Sequence, residues 1–329
     1  MKYRKIALVC PGQGSQYIGM GKEFYDTYPF VRDIYDKASD VLGYDLANVC
    51  FKKHALGAVI RHKADLNKTI YTQPAIMVTS YACYRVLEES CRAQGLELIV
   101  FLAAGHSLGE YTALLITGAM TFEAAVDLVQ TRARCMTDVG KGYPGAGLMA
   151  VLGRKKELDY DQLCAKCKEY NVYITVNNTK KQIVVGGSKQ RLGELAKELK
   201  SEGMASTLLK VEGPFHTPIM RPGAEKFKRA LNKTTFDILS RPIVANVTTD
   251  AIVDPRHIRD EGYHQIFQPV NWRGAMEKIV AGGADLFIEV GPKKVLTNML
   301  REIAPSIPAL NVEDPASLEK TMEALKIDD

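Results

Sequence analysis

Leu98-Ile99-Val100-Phe101-Leu102-Ala103-Ala104 runs straight into Gly105-His106-Ser107-Leu108-Gly109-Glu110, and Tyr111 to Thr117 continues with the texture of a helix. An apolar run without alternation is what a strand covered on both faces of a parallel sheet requires. The turn that ends it fits G-x-S-x-G between a strand and a helix, the setting in which that pattern carries chemical meaning. Flanking glycines permit a strained turn that lifts Oγ clear of the backbone, and the following helix aims its first amides at any oxyanion formed there. Ser107 is the candidate nucleophile. The competing reading is a serine that merely caps the helix.

The same texture recurs outward from this stretch. Ile6 to Cys10 is a second apolar run feeding a glycine loop, Pro11-Gly12-Gln13-Gly14-Ser15-Gln16, and Ile243 to Val247 and Leu286 to Gly291 repeat the pattern late in the chain. Thr72 to Leu87 reads as a helix, as does Phe122 to Met136 with Thr121 as its cap. Between Gly140 and Gly213 the pattern changes. After the glycine-rich hinge at 142–147 come a strand (Leu148 to Leu152), a helix (Asp159 to Tyr170), strands at Tyr173 to Asn177 and Gln182 to Gly186, a helix (Lys189 to Glu202) and a strand (Ser206 to Val211). That β-α-β-β-α-β order is the ferredoxin-like unit. The expected fold is α/β: a large α/β-hydrolase-like domain with a parallel sheet, residues 1–143 and 211–329, interrupted by an inserted ferredoxin-like α+β subdomain, residues 144–210.

With 329 residues, 46% hydrophobic and 25% charged, the chain can bury a sizeable core, which excludes a disordered or fibrous protein. No apolar stretch approaches the roughly 20 residues of a membrane crossing, and Met1 to Lys5 precedes a strand-like run rather than a signal peptide. A cytoplasmic monomer is expected. Seven scattered cysteines suit free thiols, and Cys164 and Cys167, though spaced CxxC, sit in a charged helical stretch without a second ligand pair. A net charge of +5 is too small to imply nucleic acid. Its distribution is uneven: residues 144–210 hold twelve Lys/Arg against seven Asp/Glu, an excess of five. This is either a docking face for an acidic partner or a solvated surface.

A serine nucleophile needs a base, and the chain offers six histidines. His106 adjoins Ser107, so on a sharp turn its side chain should diverge from Oγ. His54, His62 and His257 lie among surface charges, and His264 is a weak alternative. His216 ends Gly213-Pro214-Phe215-His216, a rigid loop re-entering the large domain where a cleft would form, and is the candidate base. No acid stands out as third member, which leaves a backbone carbonyl to orient the imidazole. In the Phe122 to Met136 helix, Phe122, Ala125, Val126, Val129 and Met136 form an apolar stripe to which Arg132 also belongs. A buried guanidinium is costly unless paired, and its planar fork matches a carboxylate. Either a protein acid meets Arg132 or a ligand acid does.

Together with Thr72-Gln73-Pro74-Ala75, Arg132 25 residues after Ser107, Pro269-Val270-Asn271-Trp272 and Glu289-Val290-Gly291-Pro292, these motifs resemble malonyl-CoA:acyl carrier protein transacylases, the FabD-like acyltransferases of fatty acid and polyketide synthesis. The resemblance spans nearly the whole chain. It implies malonyl transfer from malonyl-CoA to the phosphopantetheine thiol of acyl carrier protein, a small acidic partner, through an ester on Ser107. It further implies His216 as base, Arg132 as clamp for the malonyl carboxylate, Gln73 lining the pocket, backbone amides of Gln13 and Leu108 as oxyanion hole, and the Asn271 carbonyl orienting His216. No metal or prosthetic group is implied, coenzyme A thioester being the substrate. Phe215 stands where many members of the fatty-acid branch carry serine, which resembles malonyl-selective polyketide acyltransferases. Lys180, Lys181, Lys189 and Arg191 are the first candidates for docking the carrier protein. The nearest alternative is an editing hydrolase of the same fold; a dinucleotide site at Gly12-Gln13-Gly14 fails because Tyr17 stands at the third glycine.

Overall fold

In the computed structural model, which describes residues 2–52, 64–153 and 156–326, ten strands form two sheets. The strands are β1 (Ile6–Cys10), β2 (Val100–Gly105), β3 (Ala146–Leu152), β4 (Tyr173–Thr179), β5 (Gln182–Ser188), β6 (Ala205–Leu208), β7 (Ile243–Val244), β8 (Ala251–Ile252), β9 (Leu286–Val290) and β10 (Ala309–Val312). The six-stranded sheet has the order β10-β9-β1-β2-β7-β8, parallel except for the last pair. All five residues of β1 are fully buried, as a central strand covered on both faces demands. The four-stranded sheet, order β4-β5-β3-β6, is wholly antiparallel and completes the ferredoxin-like pattern.

The chain steps from β1 to β2 and β7 on one side and places β9 and β10 on the other. The loops leaving the carboxyl ends of β1 and β2, Pro11 to Gln16 and Gly105 to Glu110, therefore lie together at a crevice where the strand order reverses. The small sheet is joined to this crevice by backbone: Val270 N donates to Thr175 O, and Asn177 N to Val270 O, both at 2.9 Å.

Local deviations from the sequence pattern have physical causes. The helix expected over 72–87 spans Thr69–Ala93 with Pro74 inside it. Pro74 leaves the Ile70 carbonyl without its helical donor, and the Gln130 side-chain amide, oriented to donate, reaches that oxygen at 3.2 Å. The helix expected to end at Met136 continues to Gly142, capped by the Thr121 side chain accepting from Ala124 N. The strand expected over 243–247 stops at Val244, because Ala245 turns back to bond Asp250 O and Asn246 leaves the ladder for the serine turn. Cys164 and Cys167 sit on the helix Tyr160–Glu169 as free thiols. No described helix is long and apolar enough to cross a membrane.

Candidate active site

The turn after β2 is built by close backbone approach. A Cβ on Gly109 would come within 2.0 Å of Cys10 O, and one on Gly105 within 1.9 Å of the Gly109 carbonyl carbon, so both positions admit only glycine. Ser107 itself takes φ 51, a left-handed conformation that side chains other than glycine seldom adopt. His216, on the loop after the small sheet, is held at φ 61. These two strained residues meet. Ser107 Oγ lies 2.7 Å from His216 Nε2, and His216 Nδ1 donates to the carbonyl of Gln265 at 2.6 Å. The Gln265 carbonyl can only accept, so it fixes the proton on Nδ1 and leaves Nε2 free to take the serine proton.

Here the structure corrects the expected orienting group. The Asn271 carbonyl is occupied by Ala275 N at the start of the helix Trp272–Ala281, and the Asn271 side chain caps that helix by accepting from Gly274 N. Gln265 follows the last residue of the helix Pro255–His264, where carbonyls run out of helical donors.

Arg132 is fully buried beside the serine. Its Nη1 donates to Gln73 Oε1 at 2.7 Å, and its Nη2 to Gln265 Oε1 at 2.8 Å and to Ser107 Oγ at 3.1 Å. The guanidinium also lies over the Tyr111 ring, 5.2 Å from its centroid. Every one of these partners is neutral, and among the described residues no carboxylate is in ion-pair contact with Arg132. Burial lowers the Arg132 pKa from its ordinary value, with Tyr111 and Glu110 opposing. Burial first, then the Arg132 charge, pulls His216 down to about 3, so the imidazole is neutral at physiological pH.

A cavity of about 260 Å³ opens over Ser107 and His216. Gln13, Gln73, Leu108 and Phe215 line it on the large-domain side, and Asn178 and Gln182 on the small-sheet side. Among the described residues, the backbone amides of Gln13 and Leu108 meet no acceptor, while the Gln13 side chain is tied to Thr69 Oγ1 at 3.2 Å. His106 does diverge from the serine: its Nε2 bonds Asn178 Oδ1 at 2.8 Å and its ring packs against Trp272. His264 bonds the carbonyl of Asp260 away from the site, His257 is exposed, and His54 and His62 lie outside the described residues.

Two site residues escaped the sequence reading, Gln265 and Asn246. Asn246 Oδ1 accepts from Ser107 N at 2.7 Å and its Nδ2 donates to Gly105 O at 2.7 Å, bridging the strained turn. Gln265 Nε2 donates to Ser107 O at 3.0 Å from the other side. Their only sequence signal is position: Gln265 directly follows a helix and Asn246 lies two residues beyond a strand.

The acyl transferase domain family matches residues 7–321. The chain is 34% identical over 325 residues to the malonyl CoA-acyl carrier protein transacylase of Bacillus subtilis strain 168, covering 98% of each. A crystal structure of an acyl carrier protein S-malonyltransferase from Vibrio cholerae superposes with a TM-score of 0.86 at 32% identity, covering 97% of this chain and all of that one. A malonyl-transacylase solved with its type II polyketide acyl-carrier protein gives a TM-score of 0.87 at 33% identity, covering 98% and 100%. The chain belongs to the malonyl CoA-acyl carrier protein transacylase family. Arg132 thus places a buried cation 3.1 Å from the serine hydroxyl, with neutral hydrogen-bond partners around it.

Proposed function

We propose that the protein is an [acyl-carrier-protein] S-malonyltransferase, moving a malonyl group from malonyl-CoA to the phosphopantetheine thiol of acyl carrier protein, in fatty acid or polyketide synthesis. The observation that carries this reading is Arg132, fully buried, held only by neutral groups and in contact with Ser107. A buried cation with no carboxylate in direct contact is costly, the Glu110 carboxyl acting on it only through space, and an arriving carboxylate completes a contact pair. The malonyl carboxylate meets the guanidinium fork as its thioester carbonyl reaches Oγ.

Ser107 Oγ attacks the thioester carbon as its proton passes to His216 Nε2, and the Gln13 and Leu108 amides stabilise the oxyanion. The C–S bond breaks, coenzyme A leaves with the proton from His216, and Ser107 holds the malonyl ester. The carrier thiol then gives its proton to His216, attacks the ester and regenerates Ser107. Serine, imidazole and two amides supply nucleophile, base and oxyanion stabilisation, so these steps call for no metal or prosthetic group. The cytoplasm, whose reducing conditions suit seven free cysteines, is the proposed location.

Arg132→Ala tests this reading. Malonyl transfer should weaken by about 2 to 4 kcal/mol while relative use of acetyl-CoA improves. Equal loss for both thioesters points instead to a structural arginine and an editing hydrolase or other acyl specificity. Phe215, buried at 4% exposure on the cavity wall, should crowd the carbon between the two malonyl carbonyls. Phe215→Ser should therefore raise use of methylmalonyl-CoA relative to malonyl-CoA; an unchanged ratio rejects the steric role.

For the carrier protein, the four candidate cations divide between the two ends of β5. Lys180 and Lys181 form the turn beside Asn178 and Gln182 at the cavity, whereas Lys189 and Arg191 begin the helix Lys189–Ser201 at the far end. Lys180 pairs with Glu157 at 3.2 Å and Arg191 with Glu194 at 3.1 Å, and Lys189 Nζ donates to Pro144 O. Exposed pairs contribute roughly 0.2 to 1 kcal/mol each, so the effect on docking should be joint and salt-sensitive. Reversing Lys180 and Lys181 together should raise the apparent KM for acyl carrier protein and leave acylation of Ser107 intact. Kinetics indifferent to both salt and charge reversal would make this a solvated face.

A further inference from the structure

Glu110 is buried at 1% exposure in the first turn of the helix Gly109–Ile116 that begins behind Ser107, and it is not among the residues lining the cavity. Its Oε2 accepts from Asn246 N at 2.9 Å and from Asn246 Nδ2 at 2.5 Å. Asn246 in turn holds Ser107 N and Gly105 O, the two backbone groups on either side of the strained turn. Gln265 holds Ser107 O, Arg132 and, through its carbonyl, His216. A carboxyl group removed from water is retained at some cost, and hydrogen bonds to it must offset that cost. Here both hydrogen bonds that Glu110 accepts come from Asn246, which leads directly to the Ser107 turn, while burial and, after it, the nearby buried carboxyl of Glu261 oppose its ionisation.

Resting on the transferase reading above, we propose that Glu110 is a positioning residue: it holds the Asn246 amide, which together with the Gln265 amide grips the Ser107 backbone at N–H and C=O from opposite sides. Without that grip a residue at φ 51 relaxes toward the ordinary α or β regions, and Oγ swings away from His216 Nε2. Glu110 contacts neither acyl group nor coenzyme A, so its influence falls on the rate of attack and not on thioester binding. A misplacement of about 1 Å at a reacting atom is enough to cost roughly 10²-fold.

Three variants of the full chain separate this role from simple packing. Glu110→Leu fills the same space without an acceptor, and Glu110→Gln keeps one carbonyl oxygen for Asn246. In single-turnover acylation by malonyl-CoA, Glu110→Leu should lose about 10²-fold in rate with an unchanged half-saturating concentration, and Glu110→Gln should retain most of the wild-type rate. Acetyl-CoA, where its acylation is measurable, should show the same proportional loss, since the effect acts on Ser107 and not on Arg132. Folded Glu110→Leu at the wild-type rate, or Leu and Gln variants that fall equally, would overturn the proposal. So would a loss confined to malonyl-CoA binding, which would place Glu110 in the carboxylate clamp. If Glu110→Leu does not fold, Asn246→Ala cuts the same chain of bonds one link nearer Ser107 and should reproduce the rate loss; a folded Asn246→Ala at full rate overturns it equally. Failure of the transferase reading itself has a different signature: wild-type protein that forms no malonyl ester.

Discussion

Ser107→Ala should fold as the wild type does and transfer no malonyl group, with activity falling by more than about 10⁴-fold. Alanine carries the same Cβ into the φ 51 position, so the strain of the turn is unchanged, and the Asn246 and Gln265 bonds reach only its backbone. What disappears is the oxygen 2.7 Å from His216 and 3.1 Å from Arg132. Malonyl-CoA binding should survive, because Arg132 keeps Gln73 and Gln265 to hold its fork. Thermal melting and a binding isotherm with malonyl-CoA, run beside the transfer assay, check all three statements. Undiminished transfer would assign the nucleophile elsewhere.

His216→Ala should leave the fold intact and slow acylation by roughly 10² to 10⁴-fold, the contribution of a positioned base. The wild-type pH profile adds an independent check. Protonated His216 cannot accept the serine proton, so activity is present above its pKa and lost below it. An exposed histidine would put that loss near pH 6.5. Burial and Arg132 depress His216 to about 3, so the acid limb of kcat/KM for malonyl-CoA should lie well below pH 6 and, with it, below the range of an ordinary histidine. A limb centred near pH 6.5 that vanishes in His216→Ala would show that the imidazole is solvated when it acts.

The features legible in the sequence were those that local chemistry enforces. The apolar run into Gly105 to Glu110 could only be a buried strand meeting a helix, and the glycines there are required by contacts under about 2 Å. Arg132 was legible because a cation on an apolar helical stripe violates the pattern around it, and it is indeed fully buried. The order of elements between 146 and 208 gave the four-stranded sheet, since each strand there is flanked by unmistakable turns. What stayed hidden depends on long-range placement. Gln265 reaches His216 with a backbone carbonyl, which any residue type possesses, so no residue could be singled out from the sequence; the family resemblance implied Asn271, whose own carbonyl is taken by its helix. Asn246 looked like the continuation of a strand, and its value lies in side-chain bonds to residues 105 and 107. The short edge strand β10, with its single fully buried residue Val312, carried too little apolar pattern to stand out.

The central claim is that Ser107 carries the malonyl group between two thiols, and its most direct measurement is the intact mass of the protein after brief exposure to malonyl-CoA without carrier protein. The mass should rise by one malonyl group, digestion should place it on the peptide containing Ser107, and holo acyl carrier protein should discharge it. A protein that gains no mass, that loses the group to water as fast as to the carrier thiol, or that keeps the adduct in Ser107→Ala contradicts the claim.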